Sequence, residues 1–214
     1  MLTRLSSAIL LLVASNSALC QSRGGCDTKA TEGPGVPGCY LAANEQLGTL
    51  PAGPLFWHLY TYRNLLDAKA HSGPRSTVVE SLGQVWIYTI APRDWRPAGG
   101  KRMAVVGPLP HQAGRAYTAR YMEAVFMPGT HTSAHTHAGL EAWYVLAGTQ
   151  CLETPNGIMV VTAGQSSLVP EGAPMMLSSV GTETRRSVLL VLHDSSKPWM
   201  TAEMQWKPKV LCPK

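Results

Sequence analysis

Residues 129–148 read Gly-Thr-His-Thr-Ser-Ala-His-Thr-His-Ala-Gly-Leu-Glu-Ala-Trp-Tyr-Val-Leu-Ala-Gly, and no other stretch gathers so many metal-competent side chains in so little sequence. His135 and His137 are two residues apart, so on an extended backbone both imidazoles leave the same face of one strand. Ala138-Gly139-Leu140 then supplies a tight connection, with the glycine free to take a positive φ, and the apolar run from Ala142 to Ala147 reads as a second strand. Glu141, at the start of that run, can therefore return to the two histidines. Two neutral imidazoles and a carboxylate suit a divalent ion such as Fe, Mn, Cu, Ni or Zn and leave coordination positions for water or a substrate.

The remaining chain reads mostly as strands. Leu55 to Tyr60 is apolar and aromatic; residues 63–71 carry good helix formers ahead of Ser72-Gly73-Pro74 and predict one short helix. Thr77 to Leu82, Val85 to Ile90, Tyr117 to Met127 and Ser187 to Leu192 are strand candidates bounded by turn residues, and Pro155-Asn156-Gly157 marks a hairpin. Residues 92–110 read as loop, broken by Met103-Ala104-Val105-Val106. Short strands at this density predict an all-β barrel or sandwich.

The first 20 residues, with Arg4, an apolar stretch from Ala8 to Ala14 and a small-residue end, read as a secretory signal peptide. A lipid anchor on Cys20 is the weaker rival, because Leu19 is bulky. No stretch reaches the length of a transmembrane helix. Residues 21–54, rich in Gly and Pro, read as a linker or a disulfide-ordered extension. The barrel with its N-terminal strands is expected over 55–194, its core over 117–194, and an irregular tail with three prolines over 195–214.

Cys26, Cys39, Cys151 and Cys212 form an even set in an exported chain, which favours two disulfides. Three pairings are open; Cys26 with Cys39 and Cys151 with Cys212 is favoured. The net charge of +5, with 14% charged residues and no basic cluster beyond Arg185-Arg186, speaks for solubility and against nucleic acid as a partner.

The central stretch resembles the first motif of the cupins, Gly-x5-His-x-His-x3-4-Glu-x6-Gly: Gly129, His135, His137, Glu141 and Gly148 fill it. The second motif, Gly-x5-Pro-x-Gly-x2-His-x3-Asn, is matched by Gly164, Pro170 and Gly172, but Met175 stands where the family has a fourth metal ligand, with Met176 after it, and Ser179 replaces the asparagine. The resemblance implies a single double-stranded β-helix (jelly-roll) barrel and a homodimer, and a second His-x-His that would mark a duplicated barrel is absent. With a methionine in the fourth place, three ligand sets are open: His135, His137 and Glu141 alone; the same with a weak thioether from Met175 or Met176, which favours copper; or recruitment of His131, with His193 behind it. Either methionine also fills apolar space well. Trp143 and Tyr144 read as barrel wall, one of them available to the pocket. Glu153, Glu171 and Asp194 read as solvated carboxylates at strand ends.

The resulting expectation is a secreted or periplasmic metal-binding protein acting on a small organic molecule as an oxygenase or isomerase. The rival is a non-catalytic module that binds a small ligand or metal in the cell envelope. No Gly-x-Ser-x-Gly, Cys-x-x-Cys, His-Glu-x-x-His or phosphate-binding glycine loop points elsewhere.

Overall fold

The computed structural model describes residues 26–30 and 33–213, so the expected signal peptide lies outside the described residues. In chain order the elements are β1 (Gly38–Thr49), β2 (Phe56–Tyr62), α1 (Leu65–His71), β3 (Ser76–Ser81), β4 (Gln84–Ala91), β5 (Lys101–Val106) and β6 (Ala116–Phe126). They continue with β7 (His135–His137), β8 (Gly139–Ala147), β9 (Thr149–Thr154), β10 (Gly157–Thr162), β11 (Ser166–Val169), β12 (Met176–Val180), β13 (Arg185–Asp194) and β14 (Met200–Ala202).

A five-stranded sheet in the order β1-β6-β13-β8-β11 forms the middle layer. Period-two alternation splits its side chains between two cores. From β6, β8 and β13, Tyr121, Val125, Leu140, Ala142, Leu190 and Leu192 pack with Trp57, Leu59, Trp86 and Tyr88 of the four-stranded sheet β3-β4-β2-β5. Their neighbours Met122, Ala124, Phe126, Trp143, Leu189 and Val191 turn the other way, onto Leu152 of β9 and Leu177 of β12. That second core lies between the middle sheet and a wall built from β10-β9-β12 and β7-β14, which are bridged through His131 to Ser178 and His135 to Met175. The arrangement is an all-β jelly-roll barrel with an extra sheet on its outside. Because the middle strands are covered on both faces, they read as nearly continuous apolar runs, and a one-residue slip would exchange the two cores.

Close strand approach fixes the motif locally. A Cβ on Gly139 would lie 2.0 Å from the Leu192 carbonyl oxygen, and one on Gly148, at φ +70°, would lie 2.8 Å from the Arg185 Cα. The start of β8 and the residue that follows it therefore sit against β13 only because they are glycine.

Three segments differ from the sequence expectation. Within the Gly- and Pro-rich extension, β1 is a twelve-residue strand paired with β6. As a bulged edge strand whose second half is largely exposed, it needs no apolar alternation, which is why its sequence is silent. Met103 to Val106 is not a break in a loop but part of β5, paired with β2. The tail contributes β14, held by its pairing to β7 although all three of its residues are exposed.

Both favoured disulfides form, Cys26–Cys39 and Cys151–Cys212. Glu153, expected in solvent, is buried and accepts hydrogen bonds from the Lys209 and Leu211 amides at 2.5 and 3.0 Å, so it pins the tail beside the second disulfide. Helix α1 is capped by Asn64, whose side chain accepts from the Asp67 amide at 2.8 Å. No helix among the described residues is long and apolar enough to cross a membrane.

The outer sheet is bolted to the barrel by Glu123. This buried carboxylate of β6 accepts from Ser81 Oγ at 2.7 Å and from the Leu82 amide at 2.6 Å. Glu123→Ala leaves that amide without an acceptor and is expected to destabilise the fold by about 2 kcal/mol. Urea unfolding checks this; a midpoint unchanged from wild type would show that the two layers do not depend on the contact.

Candidate metal centre

His135 and His137 lie on β7, a strand of only three residues held between the tail strand and the start of β12. Met200 pairs with His137, Ala202 pairs with His135, and the His135 and Met175 backbones exchange hydrogen bonds of 2.9 and 3.0 Å. Thr136 points away, and both imidazoles enter the barrel. The chain reverses through Ala138, and Glu141 comes back on the interior face of β8, two residues before Trp143. All three side chains are buried, and one ligand atom from each lies within 4.8 Å of the others.

The histidines are oriented from behind. His135 Nδ1 lies 2.8 Å from the Ser133 carbonyl and His137 Nδ1 lies 2.9 Å from the Trp199 carbonyl. A carbonyl only accepts, so each Nδ1 carries the proton and donates it, which leaves the Nε2 lone pairs free to point inward. This is the arrangement in which histidine ligates a metal. His137 also stacks on the Trp199 ring, with centroids 5.5 Å apart, and the Arg120 guanidinium covers that indole at 4.4 Å. Arg120 in turn donates to Asp27 and to the Cys26 carbonyl at 2.5 and 2.6 Å. The tail and the Cys26–Cys39 loop thus both brace one ligand.

The inward atoms are the informative ones. His137 Nε2 and Glu141 Oε2 are 2.9 Å apart, yet neither has a hydrogen-bond partner of proper geometry among the described residues. Two ligands at adjacent positions on an ion, each about 2.1 Å from it, stand about 3 Å apart. Two nitrogens and one oxygen with unshared electron pairs, buried and facing one point, fit a divalent transition metal.

Charge separates the two rings. For His135 burial dominates and lowers the pKa, with Glu141 opposing and His137 reinforcing. Burial pulls His137 down as well, but the charge of Glu141, the contact with its oxygen and the Trp199 carbonyl outweigh it, and the net shift is upward.

The ligand set opens onto a cavity of about 410 Å³ whose walls are largely apolar, with Met122, Phe126, Trp143, Leu177 and Leu189 among them. Of the two wall aromatics, Trp143 lines this cavity and Tyr144 packs toward the outer sheet. His131 is exposed and lines the cavity through the segment before β7. Met175 packs in the barrel core; neither it nor Met176 lines the cavity. His193 lies on β13 with Nδ1 2.9 Å from the Asp194 carbonyl, outside the cavity lining.

Two lining residues, Arg185 and Trp199, escape sequence reasoning. Arg185, read only as half of a basic pair, is fully buried at the start of β13, with its guanidinium 4.4 Å from the Phe126 ring and bonded to the Gln150 side-chain oxygen. Burial pulls its pKa down to about 10 against the nearby charge of Glu141, so it stays cationic at neutral pH. Its even spacing from Leu189 and Val191 is the signal that places it inside. Trp199 had no signal, since it lies in a proline-rich tail. A second cavity, about 360 Å³ and lined by Arg93, Arg96 and Arg102, belongs to the outer sheet and holds no member of the ligand set.

The opposed shifts are directly measurable. In metal-free protein His137 is expected to titrate above His135, and Glu141→Gln should lower both pKa values because its charge raises both. A His whose folded pKa is lowered loses stability as pH falls below the unfolded value, so acid destabilisation near neutrality falls on His135; the raised pKa of His137 favours the folded state there. Imidazole NMR titration checks the order, and His135 titrating above His137 would contradict the geometry.

No family model and no curated protein matches the chain. Solved structures similar to part of it include a cupin-like protein from Thermotoga maritima, 15% identical, covering 40% of this chain and 64% of that one with a TM-score of 0.37. A cupin superfamily protein from Desulfitobacterium hafniense is 15% identical over 40% of this chain and 74% of its own, with a TM-score of 0.33. Oxalate decarboxylase from Bacillus subtilis is 18% identical over 41% of this chain and 24% of its own, also at 0.33. The chain thus spans less than two thirds of the first of these proteins, and such loose superpositions bear on no activity. Gly129, His135, His137, Glu141 and Gly148, the residues that resemble the first cupin motif, are thus presented inside an antiparallel jelly-roll barrel.

Proposed function

We propose that His135, His137 and Glu141 bind one divalent transition metal and that the cavity beside them carries out a metal-dependent reaction on a small organic molecule. The observation that carries this reading is the buried pair His137 Nε2 and Glu141 Oε2, 2.9 Å apart and without a hydrogen bond of proper geometry, beside a second imidazole with the same tautomer. A nitrogen and oxygen donor set of this kind suits Fe, Mn, Cu, Ni or Zn. Bound there, the ion supplies Lewis acidity and, for iron or copper, redox chemistry of the oxygenase kind. The chain supplies the rest. Ser133 and Trp199 hold the imidazoles in the ligating tautomer, Glu141 offsets part of the ion's charge, and the apolar walls limit bulk water.

Two disulfides support an oxidising compartment, in keeping with an exported, secreted or periplasmic protein. A homodimer is the expected assembly. The rival reading, a non-catalytic ligand-binding or metal-binding envelope protein, draws on the absence of Met175 and Met176 from the cavity lining, which leaves the ligand set one short of the family's four.

Elemental analysis of the mature, oxidised protein is expected to find about one transition ion per chain and almost none in the His135→Ala/Glu141→Ala variant. No metal in either protein after incubation with each ion would defeat the proposal. A metal that binds without supporting turnover or oxygen consumption would favour the non-catalytic reading. Because a proton and the ion compete for His137, affinity should fall by roughly tenfold per pH unit below the pKa of that residue. Calorimetry across pH checks this, and a flat profile would place the ion elsewhere.

A further inference from the structure

Arg185 makes its hydrogen bond and ring contact to Gln150 and Phe126, not to His135, His137 or Glu141, and its position is costly. A guanidinium taken fully out of water is tolerated when its donors are satisfied. Here only the bond to Gln150 and the face of Phe126 are provided, and Nε has no acceptor among the described residues. Glu141 is near enough for its charge to act on Arg185, yet no ion pair joins them. The shortage extends along the wall. Trp143 Nε1, on a residue that lines the same cavity, lacks an acceptor, and so does the side-chain nitrogen of Gln150 beside Arg185. These three unpartnered groups are donors, and the unpartnered acceptor on the same wall, Glu141 Oε2, faces His137 rather than any of them.

The charge balance points the same way. Glu141 and Arg185 cancel. A divalent ion on neutral imidazoles then leaves the cavity with two uncompensated positive charges between apolar walls. An anionic acceptor relieves both the charge and the missing acceptors, and a planar carboxylate matches a guanidinium edge. The cavity, about 410 Å³ and faced by Met122, Phe126, Trp143, Leu177 and Leu189, suits a small apolar body.

We propose that Arg185 is the anion-binding residue of this cavity and that its ligand is a small carboxylate with an apolar or aromatic body. The inference rests on the metal-centre reading for its charge balance, but the unsatisfied donors belong to the chain alone. Arg185 is a binding and positioning residue; it takes no part in bond making.

The test uses the full mature protein, zinc-loaded and metal-free, titrated calorimetrically with benzoate and with benzamide, its uncharged counterpart. In zinc-loaded wild type benzoate should bind about tenfold or more tightly than benzamide. Arg185→Met should bring the two ligands to within about threefold while leaving the zinc content unchanged. Equal binding of the two ligands by wild type, no binding of either, or a benzoate preference that survives in Arg185→Met would each overturn the proposal. Zinc content separates the two levels: failure to hold zinc counts against the metal centre, whereas the benzoate preference in metal-free protein still decides the role of Arg185. If Arg185→Met does not fold, the Nε–H NMR signal of Arg185 in wild type decides, because it should shift with benzoate and not with benzamide. An unmoved signal would overturn the assignment.

Discussion

Glu141 is a carboxylate inside an apolar barrel, and most of what surrounds it serves to make that tolerable. A buried charge without a partner costs several kcal/mol. The chain answers with His137 at 2.9 Å, with His135 beside it and with the charge of Arg185 farther along the same cavity. None of these satisfies the carboxylate by a well-formed hydrogen bond. An interior that gathers unshared electron pairs at one point fits the proposed cation site.

The support for that point comes from the two ends of the chain. Trp199, in the tail, contributes both a carbonyl for the proton of His137 and a ring for it to stack on. Arg120 covers the other partner of that contact and is anchored through Asp27 and Cys26 to the loop closed by the first disulfide. The second disulfide and Glu153 fasten the tail to β9. The ligand strand β7 has only three residues, too few to hold two imidazoles rigidly alone. Its precision is borrowed from segments that sequence reading assigns to extension and tail.

What was legible follows from this division. The motif, its framing glycines and the strand-rich pattern all depend on local geometry: a two-residue histidine spacing, a turn, and glycines where β8 presses on β13. Met175 and Met176 were open as ligands because a sequence does not say which way neighbouring residues of a strand begin to point; in the fold Met175 joins the core and neither residue reaches the cavity. β1 was hidden because an edge strand with half its residues in solvent needs no apolar period. Glu153 reads as solvated and Arg185 is passed over for one reason: a charged side chain gives no sign of burial until its partner is known, and the Lys209 amide and Gln150 lie 56 and 35 residues away in sequence.

The central claim concerns which atoms face the ion, so the most direct measurement is X-ray absorption at the metal edge of the loaded, oxidised protein. The expected spectrum has a first shell of nitrogen and oxygen only, with outer-shell scattering from two imidazoles. A sulfur scatterer, which would bring Met175 or Met176 into the site, or a shell without imidazole scattering would contradict the assignment of His135, His137 and Glu141.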